Sequence, residues 1–339
     1  MALPTLIDLS RRQDFDKKIA KIIEIAEPTN EALQDIPWKT CNQIDSHKTT
    51  IRTGYPSGTW RQLNYGVQPT KSTTRAVVDT TGMLEAYAEV DKKLVELNNN
   101  DAEWRLSEDR AHLIGMQKDF ISTLFYGNTA LTPEKFMGLA PRFSVPSTSD
   151  DQAGYNLIDG GAADGQTDCT SIWLVCWGEN TVHGIVPVGQ TAGWQMQDLG
   201  EETLTDAAGG RFQGYRTHYQ WNCGLTVRDW RYVSRIANLD SSALLADAAS
   251  GPKLWDLMTM ASERISDLNM GNCAFYVNRR TRSFLRRQII NKTAPSSLTW
   301  ENIAGKKVVV FDGIPVRRVD GITNAETAIL DAAGTFNDF

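Results

Sequence analysis

This chain lacks the long apolar runs of a membrane protein: its longest, Ile172 to Trp177, falls far short of the roughly 20 residues that span a bilayer. It also lacks the basic-then-apolar opening of a secretory signal, since Leu6-Ile7-Asp8-Leu9 runs straight into Ser10-Arg11-Arg12. A protein made and kept in a cytosol, with no membrane partner, is expected. Cysteine is scarce and unclustered. Cys41, Cys169, Cys176, Cys223 and Cys273 form no Cys-x-x-Cys pair and have no histidine at ligand spacing. That speaks against a zinc site or a disulfide framework and predicts buried free thiols.

Catalytic signatures are missing as well. No Gly-x-Ser-x-Gly elbow, Gly-Lys-Ser/Thr phosphate loop or His-Glu-x-x-His pair occurs. His47, His112, His183 and His218 stand alone and read as structural or surface residues. Asp198, Glu201, Glu202 and Asp206 could suggest acid/base work, but nothing signals a cleft, and a solvated acidic turn is expected. Asp159, Asp164 and Asp168 lie among glycines without the spacing of an EF-hand loop. No enzyme activity, metal or cofactor is therefore expected. Trp173, Trp177, Trp194, Trp221, Trp230 and Trp255 enrich the second half in aromatics and read as core or interface anchors rather than a sugar platform.

What is present is an ordinary globular composition, 41% apolar and 22% charged over 339 residues, enough for about two domains. The net charge of -6 argues against chain-wide affinity for nucleic acid. Its distribution is uneven. Residues 144–210 carry ten acidic side chains and no Lys or Arg, whereas residues 271–320 carry ten basic and three acidic ones. Such asymmetry suits head-to-tail contact between identical copies; the alternative is two solvated faces that never meet. Arg279, Arg280, Arg282, Arg286 and Arg287 fall on one expected helix, with Arg279, Arg282 and Arg286 sharing a face that could meet phosphate or a neighbour's acids.

Residues 47–80 are rich in strand formers and poor in core. They hold eight threonines and nine apolar or aromatic residues, and five of their six charged residues are basic. Turn signals at Tyr55-Pro56-Ser57-Gly58 and Tyr65-Gly66 make this a long hairpin of exposed strands. A two-stranded ribbon is marginal in water, so another surface should cover it, and a neighbouring copy is the natural candidate.

Elsewhere the apolar spacing of Phe15, Ile19, Ile22, Ile23 and Ala26 predicts a helix over 10–27, stopped by Pro28. A strand is expected over 83–90, then a long helix capped by Asn100 with Glu103 and running to Gly127-Asn128. Residues 144–167 read as a mobile loop or surface excursion. Strands are expected over 171–177 and 181–188 and through 212–239. An α/β unit follows, with helices over 253–268 and 279–290 and strands over 274–277, 307–311 and 314–319.

Phe125-Tyr126-Gly127-Asn128, with Pro133-Glu134-Lys135-Phe136-Met137-Gly138-Leu139-Ala140-Pro141, resembles the segment after the spine helix in major capsid proteins of tailed bacteriophages. Ser171-Ile172-Trp173-Leu174-Val175, Trp177-Gly178-Glu179-Asn180, His183-Gly184, Asp229-Trp230-Arg231-Tyr232 and Arg235-Ile236-Ala237-Asn238 resemble a short-tailed, podovirus group in particular. The resemblance covers nearly the whole chain. It implies an α+β fold of the Hong Kong 97 type with an N-terminal arm (1–40), an extended hairpin loop (41–82) and a C-terminal tail (331–339). It further implies a peripheral domain (83–143 and 166–240) with spine helix 101–127, a surface loop (144–165) and an axial domain (241–330). Because the strand-rich block precedes the α/β unit, permuted connectivity is expected.

The function implied is a coat protein forming hexamers and pentamers of an icosahedral head assembled in a bacterial cytoplasm. The head would enclose double-stranded DNA without reading its sequence, with portal, scaffold and cement proteins as partners. Candidate interface residues are Phe15, Ile19, Ile22, Trp60, Arg61, Tyr65, Arg279, Arg282 and Arg286. Although Lys48 and Lys71 are available for a covalent link to a neighbour's Asn, no partner is identified by spacing, so that chemistry is not expected. The rival readings are a β-rich carbohydrate-active enzyme or lectin, resting on the tryptophans and Asp198/Glu202, and another virion component such as a tail or connector protein.

Overall fold

The computed structural model describes residues 31–97, 101–206, 208–246, 253–290, 298–303, 306–329 and 336. The helix expected over 10–27, with Phe15, Ile19 and Ile22, and the Asn100 cap lie outside the described residues. In chain order the elements begin with α1 (Glu31–Asp35), β1 (Trp38–Thr40), β2 (Ser46–Gly54), β3 (Thr73–Asp91), α2 (Lys92–Leu97) and α3 (Asp101–Tyr126). They continue with β4 (Leu157–Asp159), β5 (Cys169–Trp177), β6 (Val182–Val186), β7 (Gln195–Thr205), β8 (Arg211–Val227) and β9 (Val233–Asp240). Last come α4 (Ser241–Ala246), α5 (Leu254–Glu263), β10 (Asn272–Val277), α6 (Arg279–Ile290), β11 (Leu298–Ile303), β12 (Lys306–Phe311) and β13 (Ile314–Arg318).

These residues fall into two compact units. One contains Asn30–Thr81, Ser122–Gly189 and Gly224–Phe339; the other contains Gly82–Ile121 and Gln190–Cys223 among the described residues.

The larger unit is organised on β5, which is antiparallel to β10 and to β9. Every residue of β5 is buried, which is why it reads as an unbroken apolar run instead of an alternating one. On one face Ile172 and Leu174 join a core with Ile236, Met258, Phe275, Leu285 and Val316. On the other, Trp173 packs against Phe125 and Phe143, both at 6.1 Å between ring centres.

This arrangement corrects several expectations. The strand-rich block 166–240 and the α/β unit 241–330 were expected to be separate, but β5, β9, β10 and β13 build one core. The boundary at 240/241, on which the expected permutation rested, does not divide two cores. Residues 144–165 are no simple surface loop: Asn156, Leu157 and Ile158 are buried, and β4 pairs in parallel with β9. Residues 31–40 belong to the body, with Ala32 and Ile36 buried and β1 parallel to β6.

Not all five cysteines are free. Cys176 and Cys273 face each other across β5 and β10 and form a disulfide; Cys41, Cys169 and Cys223 are buried thiols. The 97-residue separation of the bonded pair hid it from a reading based on local spacing.

Polar side chains inside this unit are tied into two networks. Arg235 and Glu326 are buried and paired at 2.9 Å, and Arg235 donates to the Phe143 carbonyl while its guanidinium sits 4.9 Å from the Trp173 ring centre. Ser171 and Tyr126 donate to the two Glu326 carboxylate oxygens. In the second network Trp177 donates to the Tyr276 hydroxyl, which donates to Asp35, itself paired with Arg317 at 3.1 Å. That network fastens α1 to the strands.

In the smaller unit, Ala88 of β3, Met116 of α3 and Tyr219 of β8 form a core flanked by Leu84, Ala86, Leu113 and Trp194. The even-numbered positions of β3 therefore face the helix, the alternation a one-sided strand requires. β7 pairs with β8 over Gln195 to Gln220. The solvated turn expected around Asp198–Glu202 is thus a strand, disguised by its acids and by Gly200, whose positive φ marks a bulge.

Candidate subunit interface

The hairpin forms from β2 and the first part of β3, antiparallel from Ser46↔Thr80 to Gly54↔Thr73. Its root is locked to the body. Arg142 pairs with the buried Asp79 carboxylate at 2.8 Å. Beside it the His47 and His183 rings meet edge-to-face at 5.5 Å, and both titrate below the ordinary imidazole range because burial disfavours the cation, His183 at about 4.

The outward main-chain edge of β2 is occupied in part by the protein's own groups. The Asn42 side chain donates to the Lys48 carbonyl and accepts from the Lys48 amide, at 2.7 and 2.8 Å. Gln43 N–H donates to Ser46 O, and Arg231 donates to Arg52 O at 3.3 Å. Arg231 also reaches the Tyr55 hydroxyl, with its guanidinium 5.8 Å from that ring centre. Sequence reasoning missed Arg142 and Asp79 as hairpin anchors because they meet across a long gap, and missed Asn42, six residues from Lys48, because no spacing pattern marks such a side-chain bond to the main chain; Arg231 stood inside a quoted string but without a role.

Beyond Tyr55 the chain leaves regular structure, and residues 55–71 are all exposed. Trp60 is 102% exposed and Leu63 87%, with Arg61 and Tyr65 beside them. The structure thus gathers Trp60, Arg61 and Tyr65 at one tip. Leaving a tryptophan in water forgoes burial of about 150–250 Å², or roughly 4–6 kcal/mol at 25 cal/mol/Å².

A groove of about 730 Å³ lies beside the hairpin's root. Val78 and Val145, 53% and 72% exposed, line it together with Ile51, Ala153 and Trp230. Asp151 is also in its wall, and Asp150 follows in an adjoining cleft with Tyr55 and Arg231.

The arginine stripe on α6 is divided by the fold. Thr281, Phe284 and Leu285 face inward, Arg282 is half-buried near Glu31, and burial lowers its pKa. Arg279, Arg280, Arg286 and Arg287 are exposed, Arg279 pairing with Asp320 at 3.0 Å. Arg282 therefore does not share the open face expected of it.

The residues behind the rival readings are otherwise engaged. Trp221 stacks between Phe120 and Trp194, Glu202 pairs with Arg216, and Asp198 accepts from Gly200 N–H. Asp159 is bonded by Asn238 and Asp168 by Gln166, and no cluster of three or more potential metal ligands occurs among the described residues.

Comparison with known proteins adds a family and a fold. A profile of the family described as Major capsid protein GP7 matches residues 14–330. The chain is similar to one in the structure of bacteriophage Epsilon15, with 36% identity, 97% of this chain and 98% of that chain covered, and a TM-score of 0.75. It is also similar to the bacteriophage JBD30 capsid, at 11% identity, 94% and 99% coverage and a TM-score of 0.51, a likeness of fold. A comparison with curated proteins found no match.

Proposed function

Because the chain belongs to the major capsid protein GP7 family and is a coat protein of an icosahedral phage shell with the Hong Kong 97-like fold, we propose that residues 46–80 are the arm by which each copy holds the next one in five- and six-membered rings. The observation that carries this is the contrast along one ribbon. Its root is fixed by Asp79–Arg142, Asn42 and Arg231, while its tip presents Trp60, Leu63 and Tyr65 to solvent. A monomer gains nothing from that combination, whereas repeated weak contacts add up in a closed shell.

The exposed arginines of α6 are a second contact surface in this reading. We assign the smaller unit, which holds most of the long helix α3, to the peripheral domain and the larger unit to the axial domain. The chain then passes through peripheral and axial parts without needing a permutation. Portal, scaffold and cement proteins and an enclosed double-stranded DNA complete the particle, and the chain's role is structural.

Electron microscopy of the overexpressed chain tests this: closed shells or capsomer rings are expected. Deleting residues 50–78 should leave a folded body that forms no shells. Normal shells from that deletion would refute the role given to the hairpin.

A further inference from the structure

The geometry points to the groove at the hairpin's root as the seat for the hairpin tip of a neighbouring copy, with Trp60 entering between Val78, Val145 and Trp230 and Arg61 meeting Asp151. This rests on the reading that residues 46–80 reach a neighbour, and it names the surface they reach.

Knob and socket match in two respects. The socket holds two valines whose side chains are more than half exposed, and the knob holds a fully exposed tryptophan flanked by Leu63 and Tyr65. Uniting them removes both apolar surfaces from water. Charge also agrees. Residues 55–72 contain Arg61 and Lys71 and no acid. Asp150 and Asp151 are exposed, and Asp151 accepts from the Ser149 hydroxyl. Of the two arginines in the groove wall, Arg142 is already matched by Asp79 and Arg75 is exposed.

The donor is a second copy. Within one chain Trp60 is fully exposed and the groove is open, so the two are not joined. Arg231 holds Tyr55 at the body, and the chain departs there. One knob and one socket at different places on each copy make a heterologous contact, the kind that closes rings. The competing occupant is residues 1–29, which offer Phe15, Ile19 and Ile22. That segment carries five basic and five acidic residues, so it lacks the tip's positive excess toward Asp150 and Asp151.

The test uses assembled shells of the full chain. Trp60→Cys and Val145→Cys are placed on separate, co-expressed chains, and the shells are mildly oxidised. A dimer band on non-reducing denaturing gels is expected only when both variants are present. Independently, Arg61→Asp should cut shell yield at least tenfold and Asp151→Arg should restore it in the double variant. Shells that contain both cysteine variants but give no dimer band would overturn the docking while leaving the shell reading intact. A dimer band between Val145→Cys and Phe15→Cys, with none to Trp60→Cys, would assign the groove to the N-terminal segment and equally overturn it. Failure of the unaltered chain to assemble would remove the shell reading and this proposal together.

Discussion

Replacing Glu326 by alanine should be among the most damaging single changes to the folded body. Its carboxylate is 7% exposed, pairs with Arg235 (6% exposed), and accepts from Ser171 and Tyr126. The Glu326 backbone N–H and C=O bond to Cys169 and survive any side-chain change. The perturbation therefore strands a buried guanidinium without unzipping the segment. Removing one partner of a buried ion pair costs about 3–5 kcal/mol, because the remaining charge keeps its desolvation penalty. At about 2.1 cal/mol/K per residue, 339 residues give an unfolding entropy of about 0.7 kcal/mol/K, so the expected loss in Tm is about 4–7 °C. Scanning calorimetry of the purified chain at a fixed scan rate measures it. Glu326→Gln retains the shape but not the charge and should recover only part of the loss. Replacing both Arg235 and Glu326 by methionine should recover more, since the pair's net worth is smaller than the cost of breaking it. A shift under about 1 °C for Glu326→Ala, or a double variant as unstable as the sum of the singles, would refute the reasoning.

Three other outcomes are expected. Burial, with the positive charges of His47, Lys39 and Arg228 nearby, lowers the His183 pKa from 6.5 to about 4. Between those values the unfolded chain binds more protons, so stability should fall as pH drops through that window, by at most about 3 kcal/mol, and His183→Asn should flatten the fall in acid-denaturation curves. Thiol titration of the denatured, unreduced chain should count three free cysteines; a count of five would show that Cys176 and Cys273 are not bonded. A Cβ on Gly138 would approach Thr123 O at 2.5 Å and Leu124 O at 2.9 Å, backbone atoms that cannot step aside. Gly138→Ala should therefore cost about 1–3 kcal/mol, read as a lower denaturant midpoint.

Local pattern sufficed where one segment decides its own structure. Strand β5 and helix α3 follow from an apolar run and a helical period, and the ribbon from its threonines and turn residues. The glycines of the quoted Phe125–Pro141 strings have a physical reason as well: Gly138 N–H bonds to Gly127 O at 2.8 Å, and Leu139 N–H to Leu124 O at 3.0 Å, an approach that leaves no room for a side chain. What pattern could not supply was pairing at a distance. The Cys176–Cys273 bond, the Asp79–Arg142 anchor and the shared core of β5 and β10 join residues far apart in sequence. β7 escaped because glutamine, glutamate and glycine are poor strand formers and its ladder with β8 is what makes it a strand. Helical spacing likewise grouped Arg282 with Arg279 and Arg286, but it could not tell which side of that group the body covers.

The capped edge of β2 bears on how a single chain can serve rings of two sizes. Had that edge been open, a neighbour could add its own strand there. Strand pairing fixes both register and a twist of roughly 20–25° per step, so every junction would be alike and the association could run on as an open fibre. With Asn42, Gln43 and Arg231 already bonded along part of the edge, a partner held as proposed above would be gripped through side chains at the tip. An aromatic knob in an apolar socket tolerates changes of angle that a hydrogen-bonded ladder does not. On that proposal the same ribbon would turn through the sharper angle of a five-fold vertex or the shallower one of a six-fold ring, and curvature would stay adjustable until the shell closes.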